Sequence, residues 1–186
     1  MRRAAQRGAT TVEMALVGIP LMFVLISVFE ISRGMWMYHT EAYAVKNGVR
    51  FAIVHGVDCV NTTDNPNNCP TTMAAVGALI QGAGVGLDPT QTLLTFQPGS
   101  TNAAATSCYL GAPGASPPYG AFSACSTYTS TWPPDSAGTY NGIGKPIRID
   151  VKIPFYSALT MFAPGSKPIR FALVNLAATS LDYIQF

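Results

Sequence analysis

Between Gly8 and Phe29 the chain carries a single charge, Glu13, and no other feature of the sequence limits its fold as strongly. Met14 to Phe29 is uncharged and largely apolar. With Ala9 to Val12 on one side and Ile31 on the other, it reaches the roughly 20 residues that a helix needs to cross a bilayer. The expected span is about residues 11–31. Arg2, Arg3 and Arg7 precede it without an acid among them, which predicts a cytoplasmic N-terminus and an exported remainder. Trp36 and Tyr38 follow the span, where aromatic residues favour the membrane interface.

Three kinds of segment share this outline. A cleaved secretory signal needs small residues at a cleavage site soon after the apolar run, but Glu30-Ile31-Ser32-Arg33 stands there instead. An uncleaved anchor leaves Glu13 without a role, although a carboxylate in an apolar stretch is costly and marks function or a partner. The third kind accounts for it: Arg7-Gly8 followed by Ala9-Thr10-Thr11-Val12-Glu13 resembles a prepilin peptidase site. Together with Met14-Ala15, Pro20 and Glu30-Ile31-Ser32-Arg33, this pattern resembles the N-terminus of the TadE-like family, the pseudopilins and minor pilins of tight-adherence (Flp) pili. The resemblance covers roughly the first 50 residues; the C-terminal strands match it loosely, and residues 57–145 add nothing to it.

The resemblance implies cutting after Gly8 by a prepilin peptidase, which leaves Ala9 as the new N-terminus. An α-amino group is mostly protonated at neutral pH, so the Ala9 ammonium of one subunit could pair with Glu13 of its neighbour as helices bundle. It also implies partners: the inner membrane, the peptidase, other pilins or pseudopilins and the pilus assembly platform. The expected organisation is a leader over 1–8, a helix over 9–56 and an exported α+β domain over 57–186.

Apolar periodicity continues past the membrane. Ile31, Met35, Tyr38, Ala42, Val45, Val49 and Ala52 recur at helical spacing, with Arg33, Glu41, Lys46 and Arg50 mostly at other angles. A helix from about Thr11 to Val54, stopped near Gly56, is far longer than a membrane requires, so its outer half must pack on something, and the chain's own C-terminal domain is the obvious candidate. Pro20, Gly34 and Gly48 are expected weak points or bends. A second helix starts at Thr71, with Met73, Val76, Leu79 and Ile80 on one face and Gly82 and Gly84 at its end. Thr92 to Gln97 reads as a short strand. Pro146 to Ile153 is the clearest one, with Ile147, Ile149, Val151 and Ile153 alternating with Arg148, Asp150 and Lys152. Ile169 to Tyr183 supplies a further strand or strand pair. The aromatic connection over 154–168 is either a partner or lipid contact or a cover for the long helix.

Four cysteines, Cys59, Cys69, Cys108 and Cys125, lie in polar, loop-like sequence. Their spacing is unlike a zinc knuckle, and an even count fits disulfides in an oxidising compartment. Pairing in sequence order is the simplest of three connectivities. Residues 98–145 read as a long exposed loop stapled by Cys108 and Cys125. Its Tyr109, Tyr119, Tyr128, Trp132 and Tyr140 either form a sugar- or surface-binding face or cover the sheet beneath.

The formal charge of +2 and the absence of Lys or Arg between Phe51 and Gly144 exclude a phosphate-tracking surface, so no nucleic acid partner is expected. His39 and His55 are the only histidines, and no nucleophile, metal-protease or phosphate-loop pattern occurs. No enzyme activity, metal or cofactor is expected. The leading expectation is a pseudopilin or minor pilin; the alternative is a membrane-anchored adhesive protein whose N-terminus is never trimmed.

Overall fold

A computed structural model describes residues 3–55, 59, 69, 71–99, 105–134, 140, 142–157 and 174–185, the side chains of 3–9 excepted. The long helix, α1, runs Arg3–Ile53 without a break. At 1.5 Å per residue that is about 77 Å. It begins earlier than Thr11, because Arg3 to Gln6 is made of good helix formers and nothing ahead of the apolar run stops it. Pro20 lies inside it and removes one backbone donor. Ser27 and Ser32 donate their hydroxyls to the Phe23 and Val28 carbonyls at 2.8 and 2.9 Å, so neither is a bare polar group on an apolar helix.

The chain divides into two compact units, Met1–Trp36 with Tyr156–Ala172, and Met37–Phe155 with Leu173–Phe186. In the first, Arg33 donates to the Tyr156 carbonyl at 3.1 Å and lies 3.9 Å from Glu30.

The second unit is an α+β sheet domain. Its strands are β1 (Leu93–Pro98), β2 (Thr106–Tyr109), β3 (Pro146–Phe155) and β4 (Val174–Tyr183), ordered β2-β1-β3-β4 and antiparallel throughout. The alternation seen in sequence decides the faces. Ile147, Ile149, Val151 and Ile153 are buried with Leu94 and Phe96, each contributing about 1.5–3 kcal/mol by leaving water. Arg148 and Asp150 stay at the other face in an ion pair of 2.8 Å, with Gln97 and Thr179 also donating to Asp150. Ala44, Val45, Val49 and Ala52 of α1 join the same core.

A second helix, α2 (Met73–Ala83), adds Met73, Val76 and Ile80 to that core. Thr72 caps it by accepting from the Ala75 N–H at 3.1 Å, and the Gly84 N–H closes its end on the Ile80 carbonyl at 2.9 Å. Gly48 is a contact between the helices where a bend was expected: a Cβ there would stand 2.5 Å from Ile80 Cγ1 and 2.6 Å from Cδ1. Replacing Gly48 with valine should therefore lower the domain's stability by about 1–3 kcal/mol, as overpacking does. Denaturant unfolding of the variant in detergent would measure it, and an unchanged midpoint would refute the close packing.

Two expectations need correction. The apolar stripe packs in its outer half, where Val45, Val49 and Ala52 are buried as expected, but Ile31, Met35 and Tyr38 at its membrane end are exposed, and the packed face also takes in Glu41, Ala44 and Gly48. Nor is 98–145 simply an exposed loop. It contains β2 and a short 3-10 turn at Cys125–Thr127, and it buries Cys108, Tyr109, Leu110, Cys125 and Trp132. The connection over 158–168, the loop over 60–68 and the residues Ile169 to Leu173 lie outside the described residues.

Candidate functional site

The N-terminal part of α1 is an apolar rod. Met14, Leu16 and Phe29 are each more than 70% exposed, and Val12, Val17, Ile19 and Leu21 to Leu25 are exposed with them. An apolar surface that large does not stay in water, and this is the one helix among the described residues long and apolar enough to cross a membrane. Thr11, Ala15 and Gly18 lie along one side and line a shallow cleft with Met14 and Ile19. A Cβ on Gly18 would meet nothing. Small residues at such spacing let a second helix approach closely.

Gly8, Ala9 and Glu13 all lie in the first turns of α1, with Glu13 one turn beyond Ala9 and exposed. The remaining site residues predicted from sequence are elsewhere. Cys108 is bonded to Cys125 inside the core, and Cys59 to Cys69 near the end of α1.

The aromatic loop residues do not assemble into a binding face. Tyr109 is fully buried, its hydroxyl accepting from the Tyr119 N–H at 2.9 Å and donating to the Gly120 carbonyl at 3.2 Å. Gly120 has a φ of +106°, which its lack of a Cβ permits. Trp132 packs edge-on against Phe96 with ring centroids 5.0 Å apart. Tyr119 reaches across to Asn175 through its hydroxyl at 3.1 Å. Tyr109 and Trp132 thus belong to the core, the second of the two roles open to them, while Tyr119, Tyr128 and Tyr140 stay half-buried.

Two features escaped the sequence reading. The first is Glu41, which is fully buried with neither carboxylate oxygen at hydrogen-bond geometry. Burial pushes its carboxyl up to about 8, and the Ala178 backbone opposes that shift only in part. Its position relative to Ala44, Val45, Gly48 and Ala52, at helical spacing, was the available signal. The second is a meeting of ligand-type atoms: His55, Cys59 and Cys69 have their ligand atoms within 4.8 Å of one another. The His55 ring is stacked on Phe51 with centroids 4.0 Å apart, and its Nδ1 lies 2.6 Å from the Phe51 carbonyl oxygen. Nothing in a C-x9-C spacing signals a histidine four residues upstream.

Comparison with known proteins finds no curated protein and no solved structure that matches. Residues 8–50 do match a family model, described as TadE-like protein. That segment is the long helix with its single early carboxylate, so it is through α1 that this chain is similar to the TadE-like proteins.

Proposed function

We propose that this chain is a pseudopilin or minor pilin that helps assemble a tight-adherence, type IV-like pilus. It is held in the inner membrane by α1, N-terminus cytoplasmic and sheet domain outside, after a prepilin peptidase has cut between Gly8 and Ala9. One observation carries this reading: the family match covers the helix on which Glu13 is the only charge between Gly8 and Phe29. A lone carboxylate at that depth is tolerated when a cation meets it, and the Ala9 ammonium of an adjacent subunit supplies one. The small-residue side of α1 gives a neighbouring helix room to pack. The role is structural, carried by helix packing and one ion pair, with no reaction catalysed.

The test is mass spectrometry of the N-terminus of membrane-extracted protein, from cells with and without the peptidase. A terminus at Ala9 that requires the peptidase is expected. An intact leader in both strains would sink the maturation step. Glu13→Ala, correctly trimmed, should then abolish incorporation or pilus formation, scored by immunoblot of sheared filaments. Normal piliation with that variant would remove Glu13 from assembly.

A further inference from the structure

The end of α1 places an imidazole beside the base of the loop closed by Cys59 and Cys69. The Phe51 carbonyl only accepts, so the 2.6 Å contact puts the hydrogen on Nδ1 of His55 and leaves the Nε2 lone pair free of it. Fixing one ring nitrogen on a backbone carbonyl and leaving the other to bind is how histidine ligands are oriented for metals. Stacking on Phe51 holds the ring plane as well. The ring is half-buried, as is Cys59, whereas Cys69 is buried. The Cα atoms of the two cysteines are 5.7 Å apart. Thiolates about 2.3 Å from a tetrahedral ion lie about 3.8 Å from each other, so the two sulfurs, bonded in the oxidised chain, must separate to that distance on reduction, beside a His55 nitrogen within 4.8 Å.

We propose that reduction of the Cys59–Cys69 disulfide converts this cluster into a zinc-type cation site, with His55 Nε2 and the two thiolates as ligands and water in the fourth position. A dithiol donor breaks the S–S bond. Two electrons and two protons pass to the cysteine sulfurs, and the donor leaves as its own disulfide. Binding of the dication then releases the two thiol protons to solvent, so the metal with its two thiolates carries no net charge. The loop is thus closed by a covalent bond or by an ion, and never by both. Copper(I) suits the same soft ligands; zinc is the probe chosen because it does not reoxidise the thiols.

The experiment uses the full chain in detergent micelles, reduced under argon with a phosphine that is then removed. Zn²⁺ is titrated against a chromophoric chelator, and Co²⁺ is added in parallel for its thiolate charge-transfer and d–d bands. One Zn²⁺ per chain is expected, with a tetrahedral Co²⁺ spectrum. Cys59→Ser/Cys69→Ser, which retains Cys108 and Cys125, should bind none. His55→Ala should bind at least about tenfold more weakly, the scale on which even the outer partners of metal ligands matter, and its Co²⁺ bands should shift. The oxidised protein should take up no metal, and circular dichroism of each variant checks that its helix content is unchanged. Absence of stoichiometric binding by the reduced wild type would overturn the proposal. So would an affinity and spectrum indifferent to His55, or equal binding by the double serine variant.

Discussion

Replacing Glu41 with leucine should raise the stability of the sheet domain and remove most of its dependence on pH. The side chain has no exposed surface and neither oxygen has a partner at hydrogen-bond geometry, and an unsatisfied buried polar group costs about 1–3 kcal/mol even when neutral. Its carboxyl titrates at about 8 in the fold against an ordinary 4.5, so the folded chain keeps a proton that the unfolded chain gives up. Stability tied to this group is therefore complete below about pH 4.5 and is lost as pH rises toward about 8. The slope is at most about 1.4 kcal/mol per pH unit, and the total is on the order of a few kcal/mol. Glu41→Gln should flatten the pH profile while keeping an unpaired polar group inside. Glu41→Leu should flatten it and also raise the midpoint. Thermal unfolding in detergent from pH 5 to 9 separates the three proteins. A wild-type midpoint that does not fall across that range would mean that Glu41 finds water or a cation in solution.

The second large effect belongs to the inner disulfide. Cys108 sits on β2 and Cys125 on the short turn that follows, both in the core, and the bond between them closes a separation of 17 residues. Restricting a loop of that length in the unfolded chain is worth about 3 kcal/mol. Its neighbours add to this. A Cβ on Gly77 would come within 3.1 Å of the Cys125 Cβ, so α2 lies directly on the turn that the bond holds. Cys108→Ala/Cys125→Ala should therefore lose about 3 kcal/mol or more and loosen the contact of Phe96 with Trp132, visible as a change in tryptophan fluorescence. Cys59→Ser/Cys69→Ser should cost less, because its loop is shorter, a separation of 10 residues, and Cys59 is only half-buried. Equal losses in the two variants would show that packing around β2 is not what the inner bond protects.

The elements read most directly from the sequence are those whose pattern is local. Four β-branched residues at period two fixed the faces of β3, and the shared face of Met73, Val76 and Ile80, with glycines at its end, located α2 to within a residue or two. The apolar run ahead of Glu30 needed no partner to declare itself, since its length and the absence of charge are properties of the chain alone. The run of residues from Gly8 to Glu13 is equally local, and the family match begins there.

Tertiary structure decided the rest, for a common physical reason. Thr106 to Tyr109 shows no alternation, and it becomes a strand because β1 offers it an edge and Cys108 ties it down. Tyr109 and Trp132 look like surface aromatics in a Ser- and Gly-rich stretch; what buries them is a sheet assembled from residues far away in sequence. Glu41 was assigned to the polar side of α1 by its chemistry, yet the helix can present only one face to the sheet, and Glu41 is on it. His55 meets Cys69 because that residue, fourteen positions on, is bonded to Cys59. A sequence states which faces are apolar and how far they run. Which face meets which, and what polar group is caught between them, is settled by long-range packing.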